Sequence, residues 1–194
     1  MEHVLENEFL RLKIEDKGAE LQEIYHKKKN LNYLWNGNEK YWGKRSPVLF
    51  PIVGTLKENV FFYHEKQYRL SRHGFARDSI FEAKKNHAEA LVFTLKSSQK
   101  TKENYPFDFE FQIIYTLLEN KLGISYRTIN TGNSDMYFSV GAHPAFHIPS
   151  QVRLHQVQCQ VRDRRGTGFL RCMAVAEVRQ AHLGRRTVAG RHHS

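Results

Sequence analysis

The 194-residue sequence is poor in cysteine and in long apolar runs, and its last 44 residues lack most of the amino acids common before them. Only Cys159 and Cys172 occur, with no second pair and no suitable His spacing, so neither a disulfide framework nor a zinc cage is indicated. No run of about 18 apolar residues is available to span a bilayer, so a membrane is not expected as a partner. The opening, MEHVLENEFLRLKIED, lacks the basic-then-apolar order of a secretory signal. The cytoplasm is therefore the default compartment. Nor does any stretch of residues 1–150 sustain a 3.6-residue apolar period through three turns behind a capping residue, which argues against a helical fold.

What is present is alternation. In FEFQIIYTL the residues Phe109, Phe111, Ile113, Tyr115 and Leu117 are apolar at every second position, as are Leu122, Ile124 and Tyr126 in LGISYRTIN. Side chains alternate across a strand, so the two runs with LENK between them predict a hairpin with one apolar face. EFLRLKI and ELQEIYH, about a turn at Asp16-Lys17-Gly18, predict another. VFFYHEKQYRL predicts two short strands about His64-Glu65, SIFEAKK and EALVFTLK continue the pattern, and a short strand is expected from Met136 to Val140. Strands spaced in this way indicate an all-β, antiparallel sandwich or barrel, and the length suffices for one domain with a real core.

The net charge of +10 is unevenly placed. Residues 1–150 carry 15 Lys and 6 Arg against 18 acidic residues, or +3, whereas residues 151–194 carry 9 Arg and no Lys against Asp163 and Glu177, or +7. Basicity is mostly a property of the last segment and is no evidence that the body meets an acidic partner.

Two histidines sit in loops built for presentation: His73 in LSRHGFARD and His143 in VGAHPAFHIP, each near a glycine and an aromatic residue. A third segment, KRSPVLFPIVG, holds Arg45 and an apolar stretch between Pro47 and Pro51. Taken singly, each histidine is read as a satisfied loop residue. His147 completes an HxxxH spacing with His143, but Pro144 argues against the helix that would make this a metal pair.

At these residues the sequence resembles the aldose 1-epimerases, or mutarotases, and in particular their bacterial branch. The motifs are SPVLFPIVG (46–54), RHGFARD (72–78), YPFDFEF (105–111) and GAHPAF (141–146), in that order. The resemblance implies a galactose mutarotase-like β-supersandwich, a hexose or hexose derivative as substrate, and no cofactor or metal. It also implies anomer interconversion by ring opening, in which one group takes the C1-hydroxyl proton and another protonates the ring oxygen. By the same resemblance His143 matches the general acid and His73 the second histidine that bonds the sugar. Arg45 and Arg77 are candidates for sugar contacts, and Phe75 and Phe146 for cover over an apolar sugar face, although scaffold ion pairs and core packing are competing readings. Many relatives carry an arginine where this chain has Thr55.

The resemblance covers about residues 3–150 and stops there, so that residues 1–150 are expected to form the N-terminal part of a mutarotase-like domain. Residues 151–194 contain no Lys, Asn, Ile, Tyr, Trp or Pro. They read as an Arg-rich non-family tail, poorly ordered, and better explained by a junction with unrelated coding sequence than by a natural basic extension. In the family the carboxylate base comes from a late part of the domain. The expectation is therefore a truncated mutarotase-like domain with impaired activity, whose exposed strand edges favour self-association. The alternatives are a non-catalytic carbohydrate-binding fragment, or a nucleic-acid contact through the tail. RDRR at 162–165 and Arg185-Arg186 suit phosphates, but without aromatic interleaving or a zinc motif specific nucleic-acid binding is not expected.

Overall fold

The computed structural model describes residues 1–147. The Arg-rich segment 151–194, with its arginine clusters and Glu177, lies outside the described residues. The chain opens with β1 (Glu2–Glu6), β2 (Leu10–Glu15), β3 (Leu21–His26) and β4 (Leu31–Asn32), an antiparallel sheet in the order β1-β2-β3-β4. A short β5 (Val48–Leu49) follows, then the ribbon of β6 (Val60–Tyr63) and β7 (Lys66–Arg69). The second large sheet comprises β8 (Glu82–His87), β9 (Ala90–Lys96), β10 (Phe109–Leu118) and β11 (Lys121–Asn130), in the order β11-β10-β9-β8. Last comes β12 (Gly141–Ala142), antiparallel to β5. Among the described residues the only α-helix is the turn Gln99–Lys102, and no helix is long and apolar enough to cross a membrane.

The alternation read from the sequence is buried on β10 but not on β11, where Leu122 and Tyr126 are half-buried and Ile124 is exposed. On β10 the residues Phe109, Phe111, Ile113, Tyr115 and Leu117 are all inside, and across the ladder Phe111 faces Leu95, Ile113 faces Phe93 and Tyr115 faces Leu91. From the first sheet Leu10, Leu12 and Ile14 enter the same core. Each such side chain contributes roughly 1.5–3 kcal/mol by leaving water. Polar contacts also tie the two sheets: the Tyr115 hydroxyl donates to the Ala19 carbonyl at 2.8 Å, and Asn7 Nδ2 donates to the Glu119 carbonyl at 2.8 Å. His64 and Glu65 both have positive φ, the backbone a two-residue hairpin needs to match strand twist.

Several elements differ from expectation, the unforeseen two-residue strands β4, β5 and β12 among them. β1 was not foreseen, because EHVLE places only Leu5 fully inside while Val4 faces solvent. Met136–Val140 is not a strand; its backbone meets the Pro51–Val53 stretch irregularly, and the ladder with β5 begins only at Gly141.

Phe50, fully buried, is the hub beneath the loops. Its ring stacks on Phe111 at 4.3 Å and 10°, and lies 5.2 Å from Phe109, 6.0 Å from Phe138 and 6.2 Å from Tyr105. The backbone above this cluster carries the residues singled out in the sequence.

Candidate active site

Three of the four sequence motifs lie side by side, with residues 45–54 in the middle. Along one flank the segment ending at residue 147 runs antiparallel: Ser139 N donates to the Pro51 carbonyl (2.8 Å), His143 N to Pro47 (3.0 Å) and Ala145 N to Arg45 (2.8 Å). The β5–β12 pairing, Leu49 to Gly141 and Val48 to Ala142, sits between these bonds. Along the other flank runs the His73 segment, joined by a parallel bridge between Phe50 and Gly74. Phe75 N and Ala76 N both donate to the Phe50 carbonyl at 3.1 Å. The fourth motif lies below: the Tyr105 hydroxyl donates to the Tyr137 carbonyl at 2.9 Å, and its burial pushes the phenol's pKa up. The order of the motifs along the chain thus becomes a three-stranded seam over an aromatic floor.

His73 is held from two sides by one residue. Its N–H donates to the Gly54 carbonyl at 2.8 Å, and the Gly54 N–H returns a bond to His73 Nδ1 at 3.0 Å. Its backbone takes φ of +69°, sparsely populated for a residue with a Cβ, and Gly74 follows at +71°. A Cβ on Gly74 would lie 2.3 Å from the Phe50 carbonyl oxygen, so only glycine allows this approach. Arg72 Nε lies 3.2 Å from His73 Nε2. A neutral imidazole has one lone-pair nitrogen, so the two contacts cannot both be hydrogen bonds to acceptors. We assign the bond from the fixed Gly54 backbone donor over that from the exposed Arg72 side chain, which makes Nδ1 the acceptor and places the proton on Nε2. Burial lowers the His73 pKa, with further lowering by Arg72, Arg77 and His143 in that order. His73 is thereby a neutral N–H donor near neutrality, within electrostatic reach of the second imidazole.

His143 is half-buried and in ring contact with Trp42, centroids 5.1 Å apart and planes inclined by 44°. The neighbours Ala142, Pro144 and Phe146 line a cavity of about 700 Å³ that His143 does not line, walled also by Leu34, Leu122 and Tyr126. Phe146, bridged to Leu34, belongs to that cavity. Phe75 packs against Phe50, Tyr105 and Phe109 at the core's edge.

The Arg45 guanidinium spans two backbone carbonyls, Gln22 at 2.8 Å through Nη1 and Asn36 at 2.9 Å through Nη2. Its backbone N–H, with that of Ser46, donates to the almost fully buried Glu20 carboxylate, which Lys44 approaches at 3.4 Å. Arg77 donates to the Arg72 carbonyl at 3.0 Å and lies 3.6 Å from Asp78. Thr55 is exposed. The structure therefore brings His73 and His143 to the two flanks of one segment, and uses Arg45 to hold backbone. Sequence reasoning missed Glu20 and Trp42. The tripeptide Tyr41-Trp42-Gly43, just ahead of the KRSP motif and behind two turn-forming asparagines, was the available signal for Trp42.

Comparison with known proteins agrees with this architecture. The sequence model of the aldose 1-epimerase family matches residues 1–190, and so extends over most of the Arg-rich segment. The plasmid-borne protein LacX of Lactococcus lactis subsp. lactis is 32% identical over 152 residues, covering 75% of this chain and 50% of LacX. Among solved structures, a galactose mutarotase related enzyme from Lactobacillus acidophilus superposes with a TM-score of 0.75 at 37% identity, covering 81% of this chain and 52% of that one. A galactose mutarotase-like protein from Lactobacillus casei gives 0.74 at 32% identity, covering 77% and 51%. The fold is accordingly a galactose mutarotase-like β-sandwich. The chain belongs to the aldose 1-epimerase family, and spans about half the length of the curated relatives it matches.

Proposed function

We propose that residues 1–147 carry the proton-donating half of a mutarotase-type site for a hexose. In this reading His143 protonates the ring oxygen as the C1–O5 bond breaks, and the His73 Nε2–H donates a hydrogen bond to the same oxygen. The C1-hydroxyl proton leaves to a base, the open aldehyde rotates about C1–C2, and reclosure by the reverse transfers gives the other anomer. The chemistry balances with protons alone. The observation that supports this reading is the seam itself, in which segment 45–54 is flanked by one imidazole segment on each side, with His73 Nδ1 held by the Gly54 N–H.

The carboxylates beside the seam are already engaged: Glu20 by two backbone N–H groups and Lys44, Asp78 by Lys44 and Arg77. The reading assigns neither as base. With water as the acceptor of the C1 proton, the rate is expected to fall short of a two-group enzyme by the roughly 10²–10⁴-fold typical of a positioned acid or base. The test is polarimetry of freshly dissolved α-D-glucose and α-D-galactose. Weak acceleration lost in His143→Ala is expected; acceleration unchanged by that substitution removes His143 from the mechanism. Calorimetric hexose binding without any acceleration assigns the chain to carbohydrate binding instead.

A further inference from the structure

Of the two aromatic residues expected to cover the sugar, Phe75 packs against the core, and Phe146 lines the cavity walled by Leu34, Leu122 and Tyr126, which His143 does not line. The ring in contact with His143 is Trp42. Resting on the mutarotase reading, we infer that Trp42 is the platform against which the pyranose lies. The sugar's C–H-rich face meets the indole while its ring oxygen turns to His143.

An aromatic platform contributes most when it is already immobile, because no ordering entropy is then lost on binding. The loop bearing Trp42 is built in that way. Tyr41 N and Trp42 N both donate to the Asn38 carbonyl, at 3.0 and 2.9 Å. The Trp42 carbonyl accepts from the Trp35 indole N–H at 2.9 Å. Asn36 and Asn38 cap their own turns through side-chain oxygens that accept from Asn38 N and Lys40 N. The Arg45 guanidinium clamps the loop at the Asn36 carbonyl and lies so close over Gly37 that a Cβ there would sit 2.8 Å from Arg45 Nε. Trp42 itself is half-buried and in ring contact with His143, so it keeps some exposure within the site. An indole held at its backbone and not wholly covered is suited to pack against a pyranose.

The chain has two tryptophans, Trp35 and Trp42, which makes the inference directly readable. The full chain labelled with fluorotryptophan gives two fluorine NMR resonances, assigned with Trp35→Phe. Titration with D-galactose or D-glucose is expected to shift the Trp42 resonance saturably, whereas galactitol, which cannot close a ring, leaves it in place. By calorimetry Trp42→Ala is expected to weaken hexose binding about tenfold, with Trp42→Phe recovering part of the loss. Hexose binding by the wild type with an unmoved Trp42 resonance, or with unchanged affinity in Trp42→Ala, overturns the platform and leaves the mutarotase reading standing. Failure of the wild type to bind any hexose sinks both. Should Trp42→Ala not fold by far-UV circular dichroism, the wild-type fluorine titration decides alone.

Discussion

Gly54 and His73 are bonded in both directions, amide to carbonyl and amide to imidazole, so turning the ring costs the bond from the Gly54 N–H. Acid should therefore act on this pair. The folded His73 binds its proton at a lower pH than the ordinary 6.5, because burial and the nearby cations oppose the charge. Below 6.5 the unfolded chain binds more protons than the folded one, so stability is full above that value and declines as pH falls through it. Melting temperatures recorded from pH 8 to pH 5 should drop, and His73→Asn should flatten the profile. Asparagine tolerates positive φ and offers an oxygen near the position of Nδ1. An equal drop in the variant removes His73 as the cause.

The two glycines of the seam should respond unequally to alanine. Gly54 has φ of +94° but open space around a Cβ, so Gly54→Ala pays for backbone strain alone, about 1–2 kcal/mol. Gly74→Ala adds a collision with the Phe50 carbonyl and should lose more, about 3 kcal/mol or beyond. Chemical denaturation of both variants tests the order, and Gly74→Ala being the milder change would contradict the close approach.

Arg45 is expected to behave as a clamp. Arg45→Ala loses two bonds to backbone carbonyls and should cost about 1–3 kcal/mol, with greater exposure of the loop at residues 35–42. Arg45→Lys should restore little, since a single ammonium does not span both carbonyls. Urea unfolding gives the stability change, and hydrogen exchange at residues 35–42 shows whether the loop has loosened. Full recovery by lysine would reduce the role to charge.

Phe50 should be among the costliest side chains to truncate. Phe50→Ala removes the ring between Phe111, Phe109 and Phe138 and should destabilise by about 3–5 kcal/mol. The loss read from chemical denaturation should exceed that of Phe62→Ala, whose ring is 70% exposed on β6. Comparable losses would place the core elsewhere.

Much of the fold was legible because one face of β2, β9 and β10 is buried: Phe109 to Leu117 and Leu91 to Leu95 state their own register. β1 escaped because a strand with charged ends and one inward leucine has too little contrast to detect. Met136–Val140 misled for the opposite reason, since alternating Met136 and Phe138 pack inward while the facing backbone contains Pro51, which has no N–H for a ladder. At the site, His73 and His143 were visible as loop histidines among glycine and proline. What Arg45 does was not, because its partners are the carbonyls of Gln22 and Asn36, and no side-chain pattern marks a carbonyl. Trp42 escaped because its meeting with His143 bridges about 100 residues of chain.

The β5–β12 clasp joins positions about 90 residues apart, whereas each pairing within β8–β11 closes between neighbours in the chain. During synthesis the hairpins can zip as they emerge, but the clasp must wait for Gly141 and Ala142 to leave the ribosome. The seam therefore closes a far longer loop than any pairing in that sheet, and is expected to form after its hairpins.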